Sequence, residues 1–228
     1  MRLFYDSNIT AEHNRFVLTE DESKHIVKVL RMSEGDQIGL LNGRGDHFET
    51  TIISANPKRC EVEVNKHEHF EDPTRLHLAV APTKMNDRME WLIEKAVEIG
   101  VNEITFLLCK NSERKAIKLE RFEAIAISAM KQSKRYFLPK MNDLTKVDDF
   151  IKANPNGLIA HCYEAEKSNI RSSFGESNGV ILIGPEGDFS LPEVELAQAN
   201  QYKAISLSDF RLRTETAGLM AVMETQFV

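Results

Sequence analysis

The hydrophobic positions of this 228-residue chain keep two different rhythms. Up to about residue 72, apolar and polar residues mostly alternate, as in strands with one buried face. Phe16–Leu18, Gln37–Leu41, His47–Ala55 and Cys60–Val64 read as short strands, and Asn42-Gly43-Arg44-Gly45-Asp46 supplies a glycine-rich turn between two of them. One helix interrupts this stretch. Thr19 stands at its N-cap, Glu22 completes a capping box, and Ile26, Val27 and Leu30 share a face. Several short strands with a single helix predict a small β-barrel.

After Glu71-Asp72-Pro73 the pattern becomes strand, helix, strand, helix. Leu76–Ala81 is an apolar strand. A helix from Asn86 or Asp87 runs to Ile99, buries Met89, Leu92, Ile93, Ala96 and Val97, and stops at Gly100. Ile104–Cys109 is a strand, a helix covers about Lys118 to Lys134, and Gly157–Cys162 and Val180–Ile183 are strands. Ser190-Leu191-Pro192-Glu193 is a capping box with proline in the first turn, opening a helix to about Asn200. A strand over Ala204–Leu207 and a helix from Thr214 or Glu215 to about Phe227 complete the chain. Apolar strands alternating with helices predict an α/β domain with a mostly parallel sheet covered on both faces. Two domains are expected, residues 1–72 and 73–228, with a linker near residues 70–75. Residues 216–223 of the last helix are apolar nearly all round, which predicts burial, either against a second copy of the chain or inside its own domain.

Composition narrows the class. With 42% hydrophobic and 28% charged residues the chain is globular rather than disordered. No apolar run approaches the ~20 residues of a membrane span, and Met1–Asp6 lack the apolar core of a secretory signal. Cys60, Cys109 and Cys162 show no C-x-x-C spacing and read as reduced thiols of a cytoplasmic protein. His67 and His69 lack a third ligand at recognisable spacing, so no metal is expected. The formal charge of −6 argues against a polyanionic partner, and most of the excess lies in the first 72 residues. Residues 110–140 reverse it locally, with Lys110, Arg114, Lys115, Lys118, Arg121, Lys131, Lys134, Arg135 and Lys140 against Glu113, Glu120 and Glu123. Such a stretch attracts phosphate or is a solvated helix face.

Open parallel sheets bind ligands at the carboxyl ends of their strands. Two such ends are marked here. Val180–Ile183 runs into Gly184-Pro185-Glu186-Gly187-Asp188, and Ala204–Leu207 runs into a loop with Arg211 and Arg213 just before a helix. The convergence of Gly, Glu and Arg on neighbouring strand ends points to a site. Neither G-x-G-x-x-G, G-x-x-x-x-G-K-[ST] nor G-x-S-x-G occurs, so dinucleotide, P-loop and serine-hydrolase chemistry lack their motifs.

Five segments resemble the RsmE family of ribosomal RNA uridine methyltransferases, in the SPOUT superfamily. They are His25-Ile26-Val27-Lys28-Val29-Leu30-Arg31 with Gly35-Asp36, then Lys84 to Arg88 with Glu94 to Val101, then Ala129 to Arg135, Ile183-Gly184-Pro185-Glu186-Gly187, and Leu212-Arg213-Thr214-Glu215-Thr216-Ala217. The last two are the most specific. The chain departs from the family pattern at Lys131 (usually Glu), at Asp188 (usually a second Gly) and at Ser208 (usually Gly).

The resemblance implies a PUA-like barrel followed by a knotted α/β methyltransferase domain that binds S-adenosylmethionine in the loops after Cys162, Ile183 and Leu207. Backbone groups of Ile183, Gly184, Leu207 and Leu212 would read the adenine, with Gly187 allowing close approach and Thr216 completing the set. The implied reaction methylates N3 of a uridine in small-subunit ribosomal RNA. Arg213 would stabilise the uracil anion, and Glu186 would orient Arg213 or accept the proton. Arg2, His25, Lys28, Arg31, Arg44, Lys84 and Arg135 are the candidates for holding RNA. The acidic first domain points to the assembled subunit, rather than a short oligonucleotide, as substrate. The family further implies a homodimer through the last helix. Two alternatives stand: a non-catalytic RNA-binding assembly factor, to which the three departures point, or a ribose 2′-O-methyltransferase, as in other SPOUT members.

Overall fold

The computed structural model describes residues 1–72 and 75–227, so the linker expected near residues 70–75 lies in part, at 73 and 74, outside the described residues. The chain forms two compact units. The first comprises the chain up to residue 72 together with Ile127–Leu138, and the second holds the remainder. The sequence pattern had placed 127–138 with the second.

In the first unit, strands β1 (Arg2–Tyr5), β2 (Arg15–Val17), β3 (Gln37–Leu41), β4 (Asp46–Ser54) and β5 (Glu61–His69) form one sheet in the order β1-β3-β4-β5-β2. β1 runs parallel to β3 and the other pairs are antiparallel. All five strands supply the core, through Phe4, Phe16, Ile38, Leu40, Phe48, Ile52 and Val62. The helix begins as α1 (Glu20–Lys24) and widens into a π-helical turn over His25–Val29, after which Arg31 takes a left-handed φ of 55°. The expected capping box does not form. Thr19 accepts the Ser23 N–H through its carbonyl, while the Glu22 carboxylate accepts from the Tyr5 N–H at 3.5 Å and from Lys131 Nζ at 3.2 Å. The Thr19 N–H that such a box engages donates instead to the Asp6 carboxylate at 3.4 Å, which leaves Glu22 to the Lys131 ammonium.

Residues 127–138 belong here for a visible reason. The glycine-rich turn receives them: the Gly45 N–H donates to the Tyr136 carbonyl at 3.0 Å and the Leu138 N–H donates to Gly43 at 2.9 Å. The Tyr136 ring stacks on Phe70 with centroids 3.9 Å apart.

In the second unit, β6 (His77–Val80), α2 (Asn86–Ile99), β7 (Glu103–Leu108), α3 (Leu119–Ser133, divided between the units), β8 (Lys140–Lys146), α4 (Val147–Ala153), β9 (Leu158–Ala160), β10 (Ser168–Asn169), α5 (Ile170–Phe174), β11 (Val180–Ile183), α6 (Leu191–Ala199), β12 (Lys203–Ser206) and α7 (Thr214–Thr225) follow in turn. Its seven strands lie in the order β10-β12-β9-β11-β6-β7-β8, and every adjacent pair is parallel. α2 buries the five predicted residues, and the α6 capping box forms, with both Ser190 and Glu193 contributing. β8, α4, β10 and α5 have no counterpart in the sequence reading. β8 is an edge strand with no fully buried residue, and the other three are too short for a period to show. α7 packs on α2, where a Cβ on Gly218 would come within 3.0 Å of Leu92. Among the described residues no helix is long and apolar enough to cross a membrane.

Candidate active site

Because β12, β9 and β11 are neighbours and parallel, the loops that leave them emerge side by side at the carboxyl edge. There they line a cavity of about 750 Å³, within the range of small-molecule sites. Ile183, Gly184, Glu186, Gly187, Leu207, Leu212 and Arg213, all anticipated from sequence, contribute to its wall. Thr216 does not; it is exposed on the first turn of α7. His161, Cys162, Lys167 and Phe210 line the cavity without having been anticipated.

Two buried or half-buried side chains tie the loops together. Thr214 opens α7, and its hydroxyl donates to the Gly184 carbonyl at 3.0 Å in a buried bond. Asp188 reaches the third loop: its carboxylate accepts from the Cys162 N–H at 2.7 Å and from the Phe189 N–H at 2.8 Å. Asp188 also holds a φ of 63°, a left-handed conformation that Asp tolerates better than most L residues. The departure from glycine therefore keeps the backbone shape and adds a clasp. The third loop is further held by Lys167, whose ammonium donates to the His161 carbonyl at 2.7 Å.

The glycines of this loop answer to packing inside the protein. A Cβ on Gly184 would lie 3.1 Å from the Phe189 ring, and one on Gly187 would lie 3.1 Å from Asn111 Cβ. Asn111, just past β7, donates to the carbonyls of Gly187 and Asp188 at 3.1 Å each. Ligand approach, the reason offered by the sequence, is thus not needed to explain either glycine.

Glu186 does not pair with Arg213 among the described residues. Its carboxylate accepts from the Lys84 N–H at 2.9 Å, and Lys84 Nζ pairs with Glu113 at 2.8 Å. Arg114 braces the same turn through the carbonyls of Thr83 and Lys84. Arg213 is exposed at the N-cap of α7. Burial holds the His161 imidazole below the ordinary histidine range; Lys167 adds to that shift and Asp188 opposes it.

The remaining candidates lie in the first unit. Arg2, His25, Lys28 and Arg31 are exposed, and Arg44 is exposed with its guanidinium donating to the Ser7 carbonyl at 2.9 Å. Arg135 is half-buried and paired with Asp72 at 3.5 Å. His67 and His69 both meet Asp46, each at 2.8 Å, and among the described residues no group of three or more His, Cys, Asp or Glu is placed to hold a metal ion.

Fold and site together define an α/β protein with a cavity built from three loops that leave neighbouring strands at the carboxyl edge of a parallel sheet. Residues 70–226 match the RNA methyltransferase domain family, and residues 18–65 match the RNA methyltransferase PUA domain. Ribosomal RNA small subunit methyltransferase E of Rickettsia conorii is 31% identical over 237 residues, spanning 100% of this chain and 95% of the relative. The crystal structure of a probable rRNA-methyltransferase from Porphyromonas gingivalis superposes with a TM-score of 0.87 at 41% identity, covering 100% of both chains. Ribosomal RNA small subunit methyltransferase E from Neisseria gonorrhoeae, bound to S-adenosyl methionine, superposes with a TM-score of 0.88 at 26% identity, covering 100% of this chain and 97% of that one. The chain belongs to the RNA methyltransferase family, among the proteins called ribosomal RNA small subunit methyltransferase E.

Proposed function

We propose that this protein is an S-adenosylmethionine-dependent methyltransferase that modifies N3 of a uridine in 16S ribosomal RNA. The observation that carries the reading is the clasping of three loops into one cavity by Thr214 and Asp188. Ile183, Gly184, Leu207 and Leu212 line the cavity beside Gly187, which supports the reading that their backbone groups meet the adenine edges; Thr216 stays outside that set. When bound, S-adenosylmethionine supplies a methyl group already activated by its sulfonium.

The protein's own task is at the uracil. N3 carries a proton at neutral pH and becomes a nucleophile when that proton leaves. Glu186 accepts it, with one carboxylate oxygen fixed by the Lys84 N–H and the side chain exposed in the cavity wall. Arg213 donates to a uracil oxygen as negative charge builds there, a charge the permanently cationic guanidinium is suited to. Arg2, His25, Lys28, Arg31, Arg44 and Lys84 contact phosphates or bases, while Arg135 supports the first unit through Asp72. Because the first domain is acidic, its cations act at points rather than as a field, which favours a preformed surface on the assembled subunit. A cytoplasmic location accords with this activity.

Three structural readings accompany the function. The first unit is a PUA-like barrel, supported by a single core fed by all five strands. The second is a trefoil knot, supported by the mutual clasping of the loops after β9, β11 and β12. The third is a homodimer through α7, where Met223, and Phe227 just past the helix end, remain 43% and 69% exposed; sedimentation as a monomer at micromolar concentration overturns it.

Mass spectrometry of nucleosides from the 16S ribosomal RNA of a deletion strain tests the reaction. Loss of N3-methyluridine supports it. Its retention, or loss of a ribose-methylated nucleoside in its place, refutes it. Calorimetry that shows no heat with millimolar S-adenosylmethionine would instead favour a non-catalytic assembly factor.

A further inference from the structure

His161 follows β9 and lies in the wall of the cavity with 7% of its surface exposed. Neither Nδ1 nor Nε2 of its ring has a hydrogen-bond partner among the described residues. The polar side chains around it are engaged elsewhere. Lys167 donates to the His161 carbonyl, the Asp188 carboxylate takes the N–H groups of Cys162 and Phe189, and the Tyr163 hydroxyl, whose ring centroid is 5.8 Å away, donates to the Phe189 carbonyl. Buried polar atoms in folded proteins are nearly always satisfied. A buried imidazole with two idle nitrogens in a ligand cavity is therefore a group whose partner comes with the ligand.

We propose that His161 is a cofactor-binding residue whose imidazole hydrogen-bonds a ribose hydroxyl of bound S-adenosylmethionine; this rests on the reading of the cavity as the cofactor site. The chemistry selects the hydroxyl. Burial keeps the ring neutral, so it offers one donor and one acceptor. A hydroxyl can accept from the protonated nitrogen or donate to the bare one, so it pairs with whichever nitrogen faces it in either tautomer. A carboxylate only accepts and an ammonium only donates, so each suits one tautomer alone. The adenine edges fall to the backbone groups of the other two loops.

Calorimetry of wild type, His161→Phe and His161→Gln tests this with two ligands, S-adenosylhomocysteine and 5′-methylthioadenosine. The second keeps adenine and ribose and lacks the amino-acid end. Phenylalanine fills the same space without polar atoms, so thermal stability is retained or raised while affinity for both ligands falls about tenfold. Glutamine, with a donor and an acceptor, restores part of the loss. Unchanged affinity in His161→Phe overturns the assignment, as does a loss confined to S-adenosylhomocysteine, which would move the imidazole to the amino-acid end. Failure of wild type to bind either ligand overturns this inference and the proposed function together. Nitrogen-15 NMR of the wild-type imidazole stands independent of how the variants fold: a ring nitrogen shifts on adding S-adenosylhomocysteine, and an unmoved ring refutes the bond.

Discussion

Replacing Asp188 separates two contributions made by one residue. Its φ of 63° is a conformation that charges an ordinary L residue roughly 1–2 kcal/mol, and Asp less. Its carboxylate also accepts two backbone N–H groups at 2.7 and 2.8 Å. Hydrogen bonds to charged groups contribute about 1.5–3 kcal/mol each, and for this half-exposed pair we take about 2 kcal/mol in total. Asp188→Ala loses both bonds and meets the backbone penalty, so it destabilises by about 3 kcal/mol. Asp188→Gly loses the bonds alone and relieves the backbone, giving about 1–2 kcal/mol. Asp188→Asn tolerates the conformation but has one oxygen where the two N–H groups use different carboxylate oxygens, so it keeps one bond and loses about 1 kcal/mol. Urea denaturation ranks the three, and hydrogen exchange at the Cys162 amide reports the clasp directly. That amide loses protection in the Ala and Gly variants and keeps part of it in Asn, whose single oxygen serves one N–H at a time. An Ala variant as stable as the Gly variant, or equal protection in all three, refutes the account.

Further expectations concern the reaction and the core. Arg213→Ala lowers kcat about a hundredfold and leaves the cofactor Kd within about twofold; a normal kcat in single-turnover assays removes Arg213 from the chemistry. Gly184→Ala presses a methyl group toward the Phe189 ring, 3.1 Å away, and destabilises by about 1–3 kcal/mol. Phe189→Leu in the same chain recovers part of that loss, whereas strictly additive effects in thermal melts place the strain elsewhere. His77, bonded to Thr105 at 2.7 Å, has its pKa pushed below the ordinary histidine value by burial, against the pull of Glu103 and with a small push from Lys140. The unfolded chain therefore takes up this proton first, and stability falls as pH drops through ~6.5. His77→Gln makes the urea midpoint less sensitive between pH 7.5 and 5.5; His47 and His161 are shifted the same way, so the slope shrinks without vanishing. An identical slope in the variant contradicts the sign.

Much of the fold was written locally. α2 with its buried face, the capping box of α6, the Gly100 stop and the strand Val180–Ile183 follow from spacing alone, because period, cap and stop are properties of neighbouring residues. So were the two glycine- and arginine-bearing strand ends, and with them most of the cavity wall. Only the tertiary structure decided the rest. Glu22 left its cap for Lys131, residues 127–138 joined the first unit, Glu186 met the Lys84 N–H rather than Arg213, and His161 came to rest buried with its ring unpaired. Each of these depends on a partner far away in the chain. Local periodicity fixes which way a side chain points from its own element, and only the packing of elements fixes what it meets.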